Sequence, residues 1–120
     1  MLTLLAAVVF AQQPVPLPVV VNSDPDGSQI HPSVVADSNG ALLVAWRDSS
    51  ANGQKILLQG FDWLGHRSGP LVQSAIELFD DALNPELAVN SDGRAVLCWQ
   101  ERVGAVNRIV YRRFNIDASP

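Results

Sequence analysis

The most constraining feature of this sequence is an internal repeat with a period of 53 residues. The segment IHPSVVADSNGALLVAWRD begins at Ile30, and LNPELAVNSDGRAVLCWQE begins at Leu83. Six identities keep this spacing without a gap: Pro32 and Pro85, Ser38 and Ser91, Gly40 and Gly93, Trp46 and Trp99, Ile56 and Ile109, Phe61 and Phe114. A repeat of about 20–50 residues is typical of solenoids, propellers and arrays. The repeat therefore constrains the architecture more strongly than the chemistry.

Each repeat divides into short apolar segments separated by turn sequences. The predicted strands are 33–36, 41–47 and 54–61 in the first repeat and 86–89, 94–101 and 107–114 in the second, with a fourth strand before each at Leu17–Val21 and Leu71–Ser74. Asn39-Gly40 and Asp92-Gly93 predict hairpin turns, because these residues tolerate positive φ. Residues 48–53 read as a polar loop, and 74–83 is the only candidate helix.

Four short strands in about 50 residues, repeated once, indicate the blade of a β-propeller. A small β-sandwich also has short strands at regular spacing, but it does not require two halves that match residue for residue. We therefore predict an all-β fold of two tandem four-stranded antiparallel blades, 17–69 and 70–120. Because propellers typically need about 4–8 blades, this would be an incomplete propeller. Truncation of a longer propeller is the preferred explanation, and assembly of several chains into a ring is the alternative.

The repeated pattern P-x-[small apolar]-x-[Asp/Asn]-x-x-G-x-x-x-[apolar]-x-W-x-[acid] resembles the repeat of secreted bacterial β-propeller proteins with sialidase-like or neuraminidase-repeat-like blades. The resemblance covers residues 17–117 and implies the fold, whereas propellers host enzymes, lectins and scaffolds alike. The Asp-box of sialidases is not matched, because that box places its Trp close to its Gly and Trp46 lies six residues beyond Gly40. No sialidase active site is carried over.

The N-terminal segment predicts export. Residues 1–11, MLTLLAAVVFA, have the length of the apolar part of a secretory signal and end in a small residue. They are too few to span a bilayer, which takes about 20 apolar residues. We predict a signal peptide at 1–11, a proline-rich linker at 12–16 and a secreted, periplasmic or cell-surface location. The net charge of −4 argues against a nucleic-acid partner.

Most residues with useful chemistry have a structural interpretation in this sequence. Trp46 and Trp99 end the most apolar segments and are expected in the core, whereas Trp63 lies in a turn and is expected to be exposed. Asp48 and Glu101 each follow a tryptophan by two residues, and a repeated carboxylate is expected to pair with a neighbouring Arg or backbone amide. The remaining candidates are the lone Cys98, expected to be a small buried hydrophobic residue, and His31 and His66, which have no motif partner.

The segment Asn22-Ser23-Asp24-Pro25-Asp26-Gly27-Ser28 resembles the opening of a calcium loop. It lacks the later acidic ligand that such a loop needs, and Pro-Asp-Gly is itself a strong turn sequence. The sequence leaves calcium binding by Asp24 and Asp26 open. It assigns no catalytic, cofactor-binding or metal-binding residue and no cofactor.

These observations predict a non-catalytic binding or scaffold module. The alternatives are a fragment of a sialidase-like propeller glycoside hydrolase and a self-assembling two-blade lectin. Expected partners are a protein or a carbohydrate, together with further propeller blades or other copies of the chain; the ligand itself is not predicted.

Overall fold

The structure, a computed structural model, describes residues 17–50, 53–74 and 81–120, and every regular element in these ranges is a β-strand. The strands are β1 (Ser28–Ala36), β2 (Leu42–Ser50), β3 (Gly53–Phe61), β4 (Arg67–Gln73), β5 (Asp81–Val89), β6 (Arg94–Val103) and β7 (Val106–Asn115). The first sheet has the order β1-β2-β3-β4 and the second has the order β5-β6-β7, with antiparallel pairing throughout. The predicted all-β class is confirmed.

The two sheets have matching strand bounds at the spacing of the sequence repeat. β5 begins and ends 53 residues after β1, and the two strands also share a bulge. The pairing register shifts between Ile30 and Ser33 in the first sheet and between Leu83 and Glu86 in the second. The internal repeat of the sequence is therefore also a repeat of backbone irregularities.

The bulge explains how each repeat accommodates a proline within a strand. His31 and Pro32 together stand opposite the single residue Trp46, and Pro85 stands in the same way opposite Trp99. Proline cannot donate to a ladder, so within a sheet it is tolerated at edges and bulges. The proline thus lies at the one point of the strand pair where a ladder hydrogen bond is already missing.

The predicted turns after β1 and β5 are confirmed. Gly40 has φ of 82° and Gly93 has φ of 75°, and the backbone N–H of each donates to the carbonyl oxygen three residues earlier, at 3.1 Å in both turns. A side-chain oxygen closes the same turns: Oδ1 of Asp37 and Oδ1 of Asn90 each accept two backbone N–H groups. These hairpins are therefore held by equivalent hydrogen bonds.

The main core lies between the two sheets. The first sheet contributes Leu43, Ala45, Ile56 and Leu58, and the second contributes Ala82, Ala95, Leu97, Trp99 and Phe114. We call these the inner faces. Trp46 lies on the opposite, outer face of the first sheet, packed with Val44 and Phe61. The tryptophan is therefore on the inner face of one sheet and on the outer face of the other, so unlike faces are in contact.

The strand predicted at Leu17–Val21 is wrong. These residues belong to neither sheet; they lie over the outer face of the first sheet, where Val21 packs against Val44, Trp46 and Phe61. Nη2 of Arg67 donates to the carbonyl oxygen of Val21 at 3.0 Å. The edge of β3 is already occupied by β4, and Val21 is partly buried by packing on the face of the sheet instead.

Other sequence predictions need smaller corrections. The second sheet has three strands in the described part of the chain, not four. The segment predicted at Leu71–Ser74 is the end of β4, which begins at Arg67 and pairs with β3; the predicted limit between residues 69 and 70 therefore falls inside this strand. β2 continues to Ser50, into the predicted polar loop, because Asp48, Ser49 and Ser50 all pair with β3.

Two predictions fall wholly or partly outside the described residues. These are the signal peptide and linker at 1–16 and most of the candidate helix at 74–83. The last three residues of that candidate helix lie in β5.

Candidate interaction surface

The outer face of the second sheet carries the clearest candidate for a functional surface. Residues directly opposite each other in antiparallel strands share a face, and the pairings place Val96 with Arg113, Cys98 with Tyr111, and Gln100 with Ile109. These side chains alternate with Leu97 and Trp99, which point into the core. Ile109 is 71% exposed and Tyr111 is 65% exposed. No described part of the chain buries this apolar strip.

The equivalent positions of the first sheet are the reason to regard this exposure as meaningful. Ile56 and Leu58, 53 residues before Ile109 and Tyr111, are both fully buried. Scattered exposed apolar residues are normal on protein surfaces. Here the exposed residues occupy positions that the other sheet fills with core residues, so the outer face of the second sheet has the pattern of a face that packs against another sheet.

A surface depression of about 420 Å³ lies at one end of this face, and Ala88, Asn90, Arg94, Val96 and Arg113 are among its lining residues. The guanidinium carbon of Arg113 lies 6.0 Å from the centre of the Tyr111 ring, at the outer limit of a cation–π contact. Both arginines replace small residues of the first repeat, Ala41 and Gly60. The two arginines beside this face of the second sheet therefore have no basic counterpart at the equivalent positions of the first sheet.

A buried polar network lies on the outer face of the first sheet. Nε1 of Trp46 donates to Oε1 of Gln29 at 2.7 Å, and Nε2 of Gln29 donates to Oδ2 of Asp48 at 2.6 Å. A cavity of about 170 Å³ beside this network is lined by Trp46, Val21 and neighbouring residues. Trp46 and Asp48 are both buried, as is Trp99 in the other sheet, so the predicted burial of the two repeated tryptophans is confirmed.

The second sheet does not reproduce this network. The residue equivalent to Gln29 is Ala82, and Nε1 of Trp99 is buried with no hydrogen-bond partner among the described residues. The carboxylate equivalent to Asp48 is Glu101, whose Oε2 accepts from Nε of Arg108 at 2.7 Å. The expected pairing with a neighbouring arginine is thus confirmed for Glu101, and it is wrong for Asp48, which accepts from the side-chain amide of Gln29 instead. Asp48 and Glu101 lie in different sheets, each bound within its own.

The acidic loop before β1 is closed by its own hydrogen bonds. Oδ1 of Asp24 accepts the backbone N–H of Asp26 at 3.0 Å, and the carbonyl oxygens of Asp24 and Asp26 accept from the side chains of Asn22 and Gln29. The described ranges contain no group of three or more His, Cys, Asp or Glu side chains arranged to hold a metal ion. The side chain of Asp24 and the backbone N–H of Asp26 thus form an Asx turn.

The two histidines and the third tryptophan lie at turns and bulges. His31 occupies the bulge of β1, and His66 lies 3.3 Å through Nδ1 from Oδ2 of Asp62 in the turn between β3 and β4. Trp63 is exposed in that turn, as predicted. Cys98 is half-buried rather than enclosed, because the outer face on which it lies has no covering element in the described chain.

Sequence reasoning missed two glutamines that hold the first sheet together. Gln29 joins Trp46 to Asp48, and the buried Gln59 donates to the carbonyl oxygens of Gly60 and Gly69 at 3.1 and 3.2 Å. Their counterparts in the second repeat are Ala82 and Arg112, so comparison of the repeats does not reveal either glutamine. The only available signal was an amide side chain next to strongly apolar segments.

Comparison of the chain with protein-family models, with curated proteins and with solved structures finds no match. In the described ranges no helix has the length and apolar character needed to cross a membrane.

Proposed function

We propose that this chain is a secreted, non-catalytic binding or scaffold module with two sheets of β-propeller type, and that it holds a protein partner on the outer face of its second sheet. The observation that carries the proposal is the contrast between Ile56 and Ile109. The first is fully buried and the second is 71% exposed, although the two occupy the same position of the repeat. An exposed apolar patch on a soluble domain commonly marks a partner site.

The stacking of the sheets supports the propeller type. Each sheet is an antiparallel meander, and the Trp99 face of the second packs on the face of the first that lacks the tryptophan. Stacking with unlike faces in contact leaves one unused face at each end. A sandwich made of two equivalent faces would instead bury both tryptophans in a shared core, which is not the arrangement of Trp46 and Trp99.

A binding role agrees better than catalysis with the state of the carboxylates. General acid–base hydrolysis of a glycoside needs two carboxyl groups that face one substrate. Asp48 is buried and accepts a hydrogen bond from Gln29, and Glu101 is paired with Arg108. Exposed aromatic and aliphatic side chains next to arginine have the composition of protein-binding surfaces, which are enriched in Tyr and Arg.

The proposal can be tested with an apolar fluorescent dye and with the thiol of Cys98, which lies on the same face. The double variant Ile109→Lys/Tyr111→Lys changes two exposed side chains of the proposed face. Val106→Lys is the control. Val106 is exposed on the same strand, but it lies at the hairpin, where it pairs with Val103. At protein concentrations low enough to keep the chain monomeric, we expect anilinonaphthalene sulfonate to bind the wild type and the control, and to slow alkylation of Cys98. Equal dye binding by the double variant would contradict the assignment of this face.

A further inference from the structure

We infer that the partner on the outer face of the second sheet is a second copy of this chain, which presents the outer face of its first sheet. The inference rests on the proposed function and specifies its partner. The contact would repeat between two chains the packing that already joins the two sheets within one chain.

The first argument is that the two outer faces correspond, through the repeat, to the two faces that pack against each other between the sheets of one chain. Within the chain, Leu87 lies on the same face of the second sheet as Trp99 and is packed in the core. It helps to cover the face of the first sheet that carries Ile56. Its counterpart Val34 is 61% exposed on the face that carries Trp46. Val34 therefore lacks the cover that Leu87 has, just as Ile109 lacks the cover that Ile56 has.

The second argument is that one placement satisfies both faces at once. Within one chain, the second sheet is stacked on the first in a defined way. If the first sheet of a second copy were stacked in the same way on the second sheet of the first chain, its Val34, Val44 and Trp46 would lie against Ile109 and Tyr111 of the first chain. The same relation buries Leu87, Leu97 and Trp99 against Ile56 and Leu58 within each chain. An association of two identical outer faces would have no such template in the structure.

The segment 17–22 is the obstacle to this contact, and its attachment is slight. It belongs to neither sheet, and Val21 covers Val44, Trp46 and Phe61 but leaves Val34 open. Nη2 of Arg67 donates to the carbonyl oxygen of Val21 at 3.0 Å and to that of Val20 at 3.5 Å. The arriving copy takes the place of this segment.

Contact between unlike faces has a consequence that contact between like faces does not. Every open assembly retains one free face of each kind at its two ends, so assembly continues until a ring closes or a filament grows. Blocking one face in one chain and the other face in a second chain leaves a single productive contact. Such a mixture can form only a pair.

The test uses the full chain with two surface variants in analytical ultracentrifugation. Ile109→Lys/Tyr111→Lys blocks the outer face of the second sheet, and Val34→Lys blocks that of the first. We expect each variant alone to be monomeric, with association weakened about tenfold or more relative to wild type. We expect an equimolar mixture to form a one-to-one dimer in which alkylation of Cys98 of the Val34→Lys chain is slowed. Val106→Lys should assemble as wild type does.

The other outcomes separate this inference from the proposed function. A monomeric wild type, or an assembly that Val34→Lys does not weaken, would overturn the second-copy inference. If the double variant had still lost dye binding, the proposed binding face would stand with a different partner. If the double variant changed neither dye binding nor assembly, both proposals would fail. Arg67→Ser removes the side chain that donates hydrogen bonds to the segment 17–22, so this variant should assemble more tightly than the wild type. Equal or weaker assembly would contradict displacement of the segment.

Discussion

His31 and Asn84 adopt the same left-handed backbone conformation, with φ of 52° at each residue, although neither is glycine. They lie 53 residues apart, each immediately before the proline of a bulge. Asn and His are among the residues that tolerate this region best. The exchange of His for Asn therefore preserves the backbone conformation while the side chain changes.

We predict that a β-branched residue at either bulge position destabilises the fold. His31→Val and Asn84→Val should each lower the free energy of unfolding by about 1–3 kcal/mol, because a branched Cβ is strained at positive φ. His31→Gly and Asn84→Gly should be close to neutral, since glycine accepts this conformation without strain. Chemical denaturation measures all four variants. Equal losses for Val and Gly would show that side-chain contacts, not the backbone, matter at these positions.

The two repeated tryptophans should respond differently to the same substitution. Trp46→Phe removes the hydrogen bond from Nε1 to Gln29 and leaves the amide oxygen of Gln29 unpaired. Trp99→Phe removes a buried N–H that has no partner among the described residues. The volume lost is the same in both variants, so we expect Trp46→Phe to cost about 1 kcal/mol more in free energy of unfolding.

A double-mutant cycle isolates the hydrogen bond in this comparison. In a Gln29→Leu background, Trp46→Phe should cost about 1 kcal/mol less than it does in the wild type, because the partner is already absent. The cost of Trp99→Phe should be the same in both backgrounds, since Trp99 has Ala82 at the equivalent position. A cost of Trp46→Phe that is independent of Gln29 would contradict the network.

The repeat made much of the fold predictable, and the errors lie where the local sequence does not determine strand pairing. Gly40 and Gly93 were predicted at positive φ because both follow an Asn or Asp, and backbone geometry follows local sequence there. The polar end of β2 was missed because ladder hydrogen bonds hold Asp48 to Ser50 regardless of side-chain polarity. Leu17–Val21 was wrongly placed in a strand because an apolar pattern does not show which sheet edge is free.

The candidate surface was not predictable from composition in the same way. Ile56 and Ile109 are identical in sequence, yet one is fully buried and the other is 71% exposed. The difference arises from what lies over each sheet, which is a property of the stacking and not of the residue. Only the arrangement of the sheets separates a core isoleucine from a surface one.

A close backbone contact between the two sheets makes Gly69 the most sensitive glycine that we can test. Gly69 has φ of 74°, and a Cβ there would lie 2.0 Å from the carbonyl oxygen of Asp117. Gly69→Ala should therefore force the backbone to move and destabilise the fold by about 2–4 kcal/mol, from overpacking and positive φ together. Thermal unfolding measures the loss.

Gly104→Ala is the matched control for this prediction. Gly104 also has positive φ, 59°, but a Cβ there meets nothing within 4 Å. Its substitution should cost only the conformational part, about 1 kcal/mol. If the two alanine variants unfolded at the same temperature, the contact between β4 and the turn at Asp117 would not contribute to stability.

The turn between β3 and β4 should weaken in acid through Asp62. The backbone N–H of His66 donates to the Asp62 carboxylate at 2.9 Å and is the main cause that lowers the pKa of Asp62 below its usual 3.8. Desolvation of the carboxylate acts in the opposite direction. The backbone N–H of Leu64 and the side chain of His66 lower the pKa of Asp62 further. Because the pKa is lower in the folded state, the stabilisation is present above the unfolded pKa and is lost as the pH falls through the folded pKa.

Asp62→Asn provides the control for this titration. Asn90 already accepts two backbone N–H groups through Oδ1 in the equivalent type of turn, at 3.0 and 2.9 Å, so an amide can hold such a turn without titrating. We expect the difference in stability between wild type and Asp62→Asn to be constant near neutral pH and to change only below about pH 4. The amide resonances of Leu64 and His66 should titrate with a midpoint below 3.8. A midpoint at or above that value would mean that these backbone donors do not favour the ionised carboxylate.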